Sequence, residues 1–146
     1  MNAIVLYRLA RRLHLKGVPV LPRLLFAVTF LVFNSELHAE TEIGPGTTFD
    51  HGGTGVIIHP RAVIGSGVLI GPQVTIGGRS GLPDLPVIED DVYIGNGAKV
   101  LGPVRVGRGA KIGANAVVIK DVPAGATAVG VPARIVQPSG SSPAAA

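Results

Sequence analysis

Aliphatic residues recur at every sixth position from Ile58 to Val118 without a gap. The series is Ile58, Ile64, Ile70, Ile76, Leu82, Ile88, Ile94, Val100, Val106, Ile112 and Val118. Ile, Leu and Val fill 45 of the 146 positions, so chance would fill about three of these eleven. A period of six is neither the 3.6 of an α-helix nor the two of a single strand. It fits a chain wound into a parallel β-helix, in which each flat side of a coil is one short strand. The fourth residue after each anchor agrees. Ala62, Val68, Val74, Val92, Ala98, Val104, Ala110, Ala116 and Val122 are small or β-branched, with Pro86 the exception. Each stands two places before the next anchor, on the same side of its strand. Gly65, Gly67, Gly71, Gly95, Gly97, Gly107, Gly109 and Gly113 fall between the strands, where corners need tight turns.

The phase breaks once. Leu37, Ile43 and Phe49 keep the spacing of six, but Ile58 follows Phe49 by nine. The rhythm slips across residues 50–57, DHGGTGVI. A slip in a solenoid pushes backbone out of the coil. A structural bulge is one reading. The other is a functional insertion, because loops held on a rigid scaffold commonly carry the chemistry. A second segment, residues 77–86 (GGRSGLPDLP), keeps the count but has the composition of a loop. It is expected to protrude, with Leu82 in phase only by coincidence.

Ahead of the coil, residues 2–16 read as a basic amphipathic helix ended by Gly17-Val18-Pro19, and residues 22–33 as a second, strongly apolar helix. A run of about a dozen residues is too short for a bilayer, which takes roughly 20. A secretory signal fits poorly. The stretch before the apolar run is long, Leu37-His38-Ala39 is a weak cleavage site, and the coil begins at Leu37. The expected role of the helices is packing under the coil or against a neighbouring subunit. Peripheral membrane contact through residues 1–33 is the alternative. The expected organisation is a helical segment over 1–35, a β-helix over 36–136 and a Pro/Ser/Ala-rich, disordered tail over 137–146.

Composition narrows the chemistry. There is no cysteine, hence no disulfide and no thiolate nucleophile. The net charge is +4, and five of the thirteen Lys and Arg precede residue 24. That is too diffuse for a nucleic-acid arm, and it suits an anionic ligand or a membrane surface. The 21 Gly and 12 Pro could signal disorder, but a disordered chain has no reason to keep phase.

Four histidines are present. His14 falls on the basic helix, His38 opens the first coil and His59 sits in a turn beside an anchor. His51 differs, because it lies in the phase slip, follows Asp50 and is flanked by Gly52, Gly53 and Gly55. Small neighbours leave an imidazole reachable. A histidine can take a proton from a hydroxyl and return it to a leaving group near neutral pH. His51 and His59 are eight apart, which is not a metal-ligand spacing, and no metal is expected. No G-x-S-x-G elbow is present, and the glycines at 77–81 lack the Lys-Ser/Thr of a P-loop.

The coil closes on Gly130-Val131-Pro132-Ala133-Arg134-Ile135-Val136. With this ending, the repeat resembles the left-handed β-helix, hexapeptide-repeat acyltransferases. Two stretches are most similar to serine O-acetyltransferase. One runs from Glu36-Leu37-His38 through Ile43-Gly44 to Phe49-Asp50-His51. The other runs from Ile94-Gly95-Asn96-Gly97-Ala98-Lys99 to Ile112-Gly113-Ala114. The likeness covers residues 36–136 and supplies the left-handed sense, which periodicity does not set.

The resemblance implies a cytoplasmic homotrimer with active sites in the clefts between coils and acetyl-CoA as co-substrate. His51 would match the general base, and Glu36 the carboxylate that orients it, where the family usually has Asp. Asp50 would match an acidic contact to the acceptor. Gly77, Gly78, Ala98, Ala133 and Arg134 would match the path of coenzyme A. The family carries an Arg-His pair before a Pro in its loop. Here Asp84 and Leu85 precede Pro86, the loop is shorter, and Arg79 is the residue that could substitute. The implied reaction is direct attack of the acceptor hydroxyl on the thioester, with no covalent enzyme intermediate. Serine or a similar hydroxy amino acid is the expected acceptor. A sugar or polysaccharide hydroxyl, or another small metabolite, is the alternative acceptor, and a non-catalytic trimeric scaffold is the third reading.

Overall fold

The computed structural model describes residues 1–136; the expected tail over 137–146 lies outside them. Two helices precede the coil, α1 (Ala3–Leu15) and α2 (Leu21–Phe33). The first coil carries β1 (Glu36–Leu37), β2 (Glu42–Ile43) and β3 (Thr48–Phe49). The second carries β4 (Ile57–Ile58), β5 (Val63–Ile64) and β6 (Leu69–Ile70). The third carries β7 (Thr75–Gly77), β8 (Val87–Ile88) and β9 (Tyr93–Ile94), and the fourth β10 (Lys99–Leu101), β11 (Arg105–Val106) and β12 (Lys111–Ile112). β13 (Val117–Val118), a bridge at Val122 and β14 (Thr127–Val129) begin a fifth, and β15 (Arg134–Val136) turns back antiparallel on β14.

The strands stack into three sheets, β1-β4-β7-β10-β13, β2-β5-β8-β11 and β3-β6-β9-β12-β14-β15, parallel except for the last pair. The anchors and their fourth-position partners form one continuous buried column. Leu82 is the exception at 42% exposed. Successive strands of the first sheet start at residues 36, 57, 75, 99 and 117. A regular coil therefore takes 18 residues, the first takes three more and the third six more. Six is one whole repeat, which is why the period passes through the loop over 77–86 undisturbed and Leu82 keeps phase while standing outside the core.

The glycines serve two needs, of which the sequence suggested only the turn. Gly97 does sit at φ +71°. Gly95 does not need a left-handed backbone. A Cβ there would lie 2.7 Å from the Ala114 nitrogen of the next coil. Gly44, Gly65, Gly71, Gly107 and Gly113 face similar crowding, so these positions are bare because neighbouring coils nearly touch there.

A solenoid end exposes unpaired backbone and apolar core, so it needs a cap. α1 supplies it. Ala3, Ile4, Tyr7 and Ala10 are buried. Tyr7 donates its hydroxyl to Thr41 O at 2.5 Å, Arg8 donates to Thr47 O at 3.1 Å, and Arg11 donates to Ala39 O and Glu40 O at 3.0 Å. Two of the N-terminal cations are thus committed to carbonyls of the first coil, not to an external anion.

Candidate active site

The first coil takes up its three extra residues in a tight four-residue turn at Asp50–Gly53, between β3 and β4. His51 takes φ +46° and ψ +39°, a left-handed conformation that His adopts more readily than most residues. Gly52 follows at φ +76° and Gly53 at φ +79°. A Cβ on Gly53 would approach Phe49 Cδ2 to 2.7 Å, so the turn closes over the buried Phe49 ring only with glycine there. The imidazole is turned outward, with its side chain 71% exposed. Its Nε2 lies 3.9 Å from Asp50 Oδ2, and the His51 N–H donates to Asp50 Oδ1 at 3.0 Å. Asp50 therefore holds the backbone of the turn and places a carboxylate beside the ring.

Ser35 holds the base of this turn. It is fully buried, just ahead of β1. Its hydroxyl donates to Gly53 O at 2.5 Å and accepts from Val56 N–H at 3.1 Å. The chain leaving the turn, from Gly53 to Val56, is thus tied to one side chain. Thr47 does the same in the regular part of the coil, donating to Gly65 O and accepting from Val68 N–H. Sequence reading missed Ser35, although Ser35, Thr41 and Thr47 keep the period of six as a polar run in the slot that later coils fill with Ala or Val.

The other candidates are spread along one face. Glu36 is half-buried on β1, and among the described residues its carboxylate makes no hydrogen bond or ion pair with His51. Gly77 ends β7, and the space a Cβ would fill there is open, while Gly78 is exposed. Ala98 is buried, with its N–H on Gly95 O at 3.2 Å and its carbonyl taking the Thr75 N–H at 3.0 Å. Ala133 donates to Val117 O at 2.9 Å, and Arg134 is exposed beside it. Glu36, Gly77, Ala98 and Ala133 thus follow the sheet β1-β4-β7-β10-β13 from its first strand to its last, with His51 at the corner that feeds its second strand. Arg79 stands apart on the protruding loop, in a bridge with Leu82.

Residues 86–120 match the family of bacterial transferase hexapeptide proteins (six repeats). The chain is 40% identical to the serine acetyltransferase of Synechococcus elongatus over 142 residues, 95% of this chain and 57% of that protein. Its fold superposes on the Neisseria gonorrhoeae serine acetyltransferase in complex with serine at a TM-score of 0.82 and 41% identity, covering 90% of this chain and 54% of that one. A serine acetyltransferase solved in complex with CoA gives a TM-score of 0.82 at 42% identity, covering 92% of this chain and 55% of that one. The chain belongs to the hexapeptide-repeat superfamily, on its serine acetyltransferase-like branch. It spans about half the length of the curated relatives it matches.

In its loop the chain departs from the pattern that the resemblance implies. Asp84 is exposed and Leu85 half-buried, where the resemblance leads one to expect Arg and His. Arg61 reaches across from the second coil and donates to Pro83 O at 3.2 Å, tying the loop tip down. The Arg79 side chain runs over Gly102, whose missing Cβ leaves it room. A cavity of about 460 Å³ opens elsewhere, between the α1–α2 turn and the first corner of the coil. Arg23, Phe26, His38 and Glu40 line it, with the Phe26 and His38 rings stacked at 4.7 Å.

Proposed function

We propose that the chain transfers an acetyl group from acetyl-CoA to the hydroxyl of serine or a similar small hydroxy amino acid, as a cytoplasmic homotrimer. The observation that carries this reading is the single break in the coil, which presents His51 to solvent beside Asp50 on a scaffold like those solved with serine and with CoA. The coil supplies proximity, holding hydroxyl and thioester in one cleft. His51 takes the hydroxyl proton as the oxygen attacks the carbonyl carbon. The C–S bond then breaks, and the same imidazole returns the proton to the departing thiolate. Asp50 contacts the acceptor amino group, Glu36 orients the imidazole, and Gly77, Gly78, Ala98, Ala133 and Arg134 line the path of coenzyme A. The open space at Gly77 and the placement of Gly77, Ala98 and Ala133 along one sheet support that path.

A second reading keeps the chemistry and changes the acceptor to a sugar or polysaccharide hydroxyl. Asp84 and Leu85 favour it, because an Arg is the natural bidentate partner of an amino-acid carboxylate and neither residue can act as one. Arg79 is the one cation on the loop that could serve instead. Thiol release from acetyl-CoA separates the readings. Turnover with L-serine supports the first, and means that Arg79 or another group takes the place of the missing Arg-His pair. Turnover with a sugar panel and none with serine supports the second. No thiol release with any hydroxyl acceptor overturns both. Light scattering tests the assembly, with three times the chain mass of 14.9 kDa as the expected result.

A further inference from the structure

α2 is apolar over most of its surface, yet only one side of it touches the protein. Pro22, Thr29 and Phe33 are buried. On the opposite side Leu21, Leu24, Val28, Leu31 and Val32 are exposed, at 42, 56, 37, 81 and 58%. At about 100° per residue these five fall within an arc of about 100°. Among the described residues no helix is long and apolar enough to cross a membrane, so a spanning role does not explain the arc. The outward side of α1 mixes the exposed apolar Val5 and Leu9 with Arg12 and Lys16.

The charge around these faces has one sign. Residues 1–35 contain five Arg and Lys and no Asp or Glu. Arg8 and Arg11 are spent on coil carbonyls. Arg12, Lys16 and Arg23 make no side-chain hydrogen bond or ion pair among the described residues and are exposed. A two-fold contact between copies would set this patch against itself, with cations facing cations and no acid on the hairpin to pair them. An apolar strip edged by unpaired cations is complementary to acyl chains beneath anionic headgroups.

We propose that the α1–α2 hairpin docks the protein on an anionic lipid surface, with the outer arc of α2 entering the acyl boundary and Arg12, Lys16 and Arg23 meeting phosphate headgroups. This docking is independent of the acetyl-transfer reading. The test is co-sedimentation of the full chain with phosphatidylcholine vesicles, with and without phosphatidylglycerol. Binding is expected only with phosphatidylglycerol, weakening as salt rises. Each cation near such a surface is worth roughly fivefold in binding, so Arg12→Glu with Arg23→Glu should weaken it by about twenty-five-fold or more. Leu24→Asp with Leu31→Asp should abolish it. Both pairs are exposed, and an unchanged circular-dichroism melt shows that the variants fold. Absence of vesicle binding overturns the proposal, as does equal binding to neutral and anionic vesicles. A change of solution mass in the Leu24/Leu31 variant without vesicle binding also overturns it, and assigns the face to a contact between copies.

Discussion

At the scale of single residues, the site depends on a backbone that few side chains tolerate. His51 sits at φ +46°, so a replacement must accept the left-handed region before it can report on chemistry. Asn does. His51→Asn is expected to keep the melting temperature and to lose about 10²- to 10⁴-fold in turnover, the span general acid–base catalysis supplies. The loss should fall on kcat, with the KM for acetyl-CoA little changed. Retained activity in the variant removes His51 as the base. Ser35 acts one step behind it. Ser35→Ala leaves Gly53 O and Val56 N–H without their shared partner. The expected loss is about 1–3 kcal/mol of stability, with a fall in turnover at temperatures where the protein is still fully folded. Ser35→Thr should restore both, because Thr47 already makes the equivalent pair of bonds in the same column. A Ser35→Ala protein with wild-type turnover would show that the bulge holds its shape without the hydroxyl.

At the scale of elements, the cap and the loop behave in opposite ways. Tyr7 anchors α1 through Thr41 O. Burial pushes its phenol above the usual range, while the nearby Arg11 guanidinium works in the other direction. A raised folded-state value means that the contribution is complete below the ordinary phenol range and is lost as pH climbs through the raised one. α1 should therefore loosen in strongly alkaline solution, seen as a loss of helical ellipticity before the coil melts. Tyr7→Phe should remove that step and cost about 1 kcal/mol at neutral pH. The loop over 77–86 carries no core residue before Pro86. Deleting residues 79–84 removes one repeat length, joins Gly78 to Leu85 and keeps Pro86 in the fourth slot after Ile76. The coil should fold with stability changed by about 1 kcal/mol, and acetyl transfer should be lost with Arg79. A deletion protein that does not fold would mean that Arg61 and Arg79 hold the coil together through the loop. The period of six was enough to place the strands and locate the bulge, because in a solenoid each position repeats one environment, while the loop composition of residues 77–86 set Leu82 outside the core. The residues that escaped sequence reading are those whose partners lie at a coil end or across a corner. Tyr7, Arg8 and Arg11 share a helix face, but nothing in one sequence says which carbonyls they meet. Ser35 is visible only once the first coil is aligned with the rest.

At the scale of the whole molecule, stability passes from coil to coil, since each repeat touches only its neighbours. Beyond the apolar column, one polar strap crosses several coils at once. Asp90 Oδ1 accepts the Ser66 N–H of the second coil at 2.8 Å, and Asp90 Oδ2 pairs with Arg108 of the fourth at 2.8 Å. Glu89 takes Arg105 Nε at 2.6 Å and the Arg108 N–H at 2.8 Å, and the Arg105 N–H continues to Asp121 of the fifth. The Arg108 N–H bond, followed by the bond from the Arg105 side chain, holds the Glu89 carboxyl below its usual range. A depressed folded-state value contributes stability above the ordinary carboxylate range, and that contribution disappears as pH falls through the depressed one. The groups are solvent-facing, so the effect on any one pair is small and salt-sensitive. What makes it measurable is its position, because it joins the third coil to the fourth, and the fourth to the fifth through Asp121, where no helix among the described residues covers the coil as α1 covers its first end. The expected result is a melting temperature that falls as pH drops below the ordinary Glu value of 4.5, with a shallower fall in Glu89→Gln and in high salt. Parallel pH dependence in wild type and Glu89→Gln would place the acid sensitivity elsewhere and leave the upper coils held by the apolar column alone.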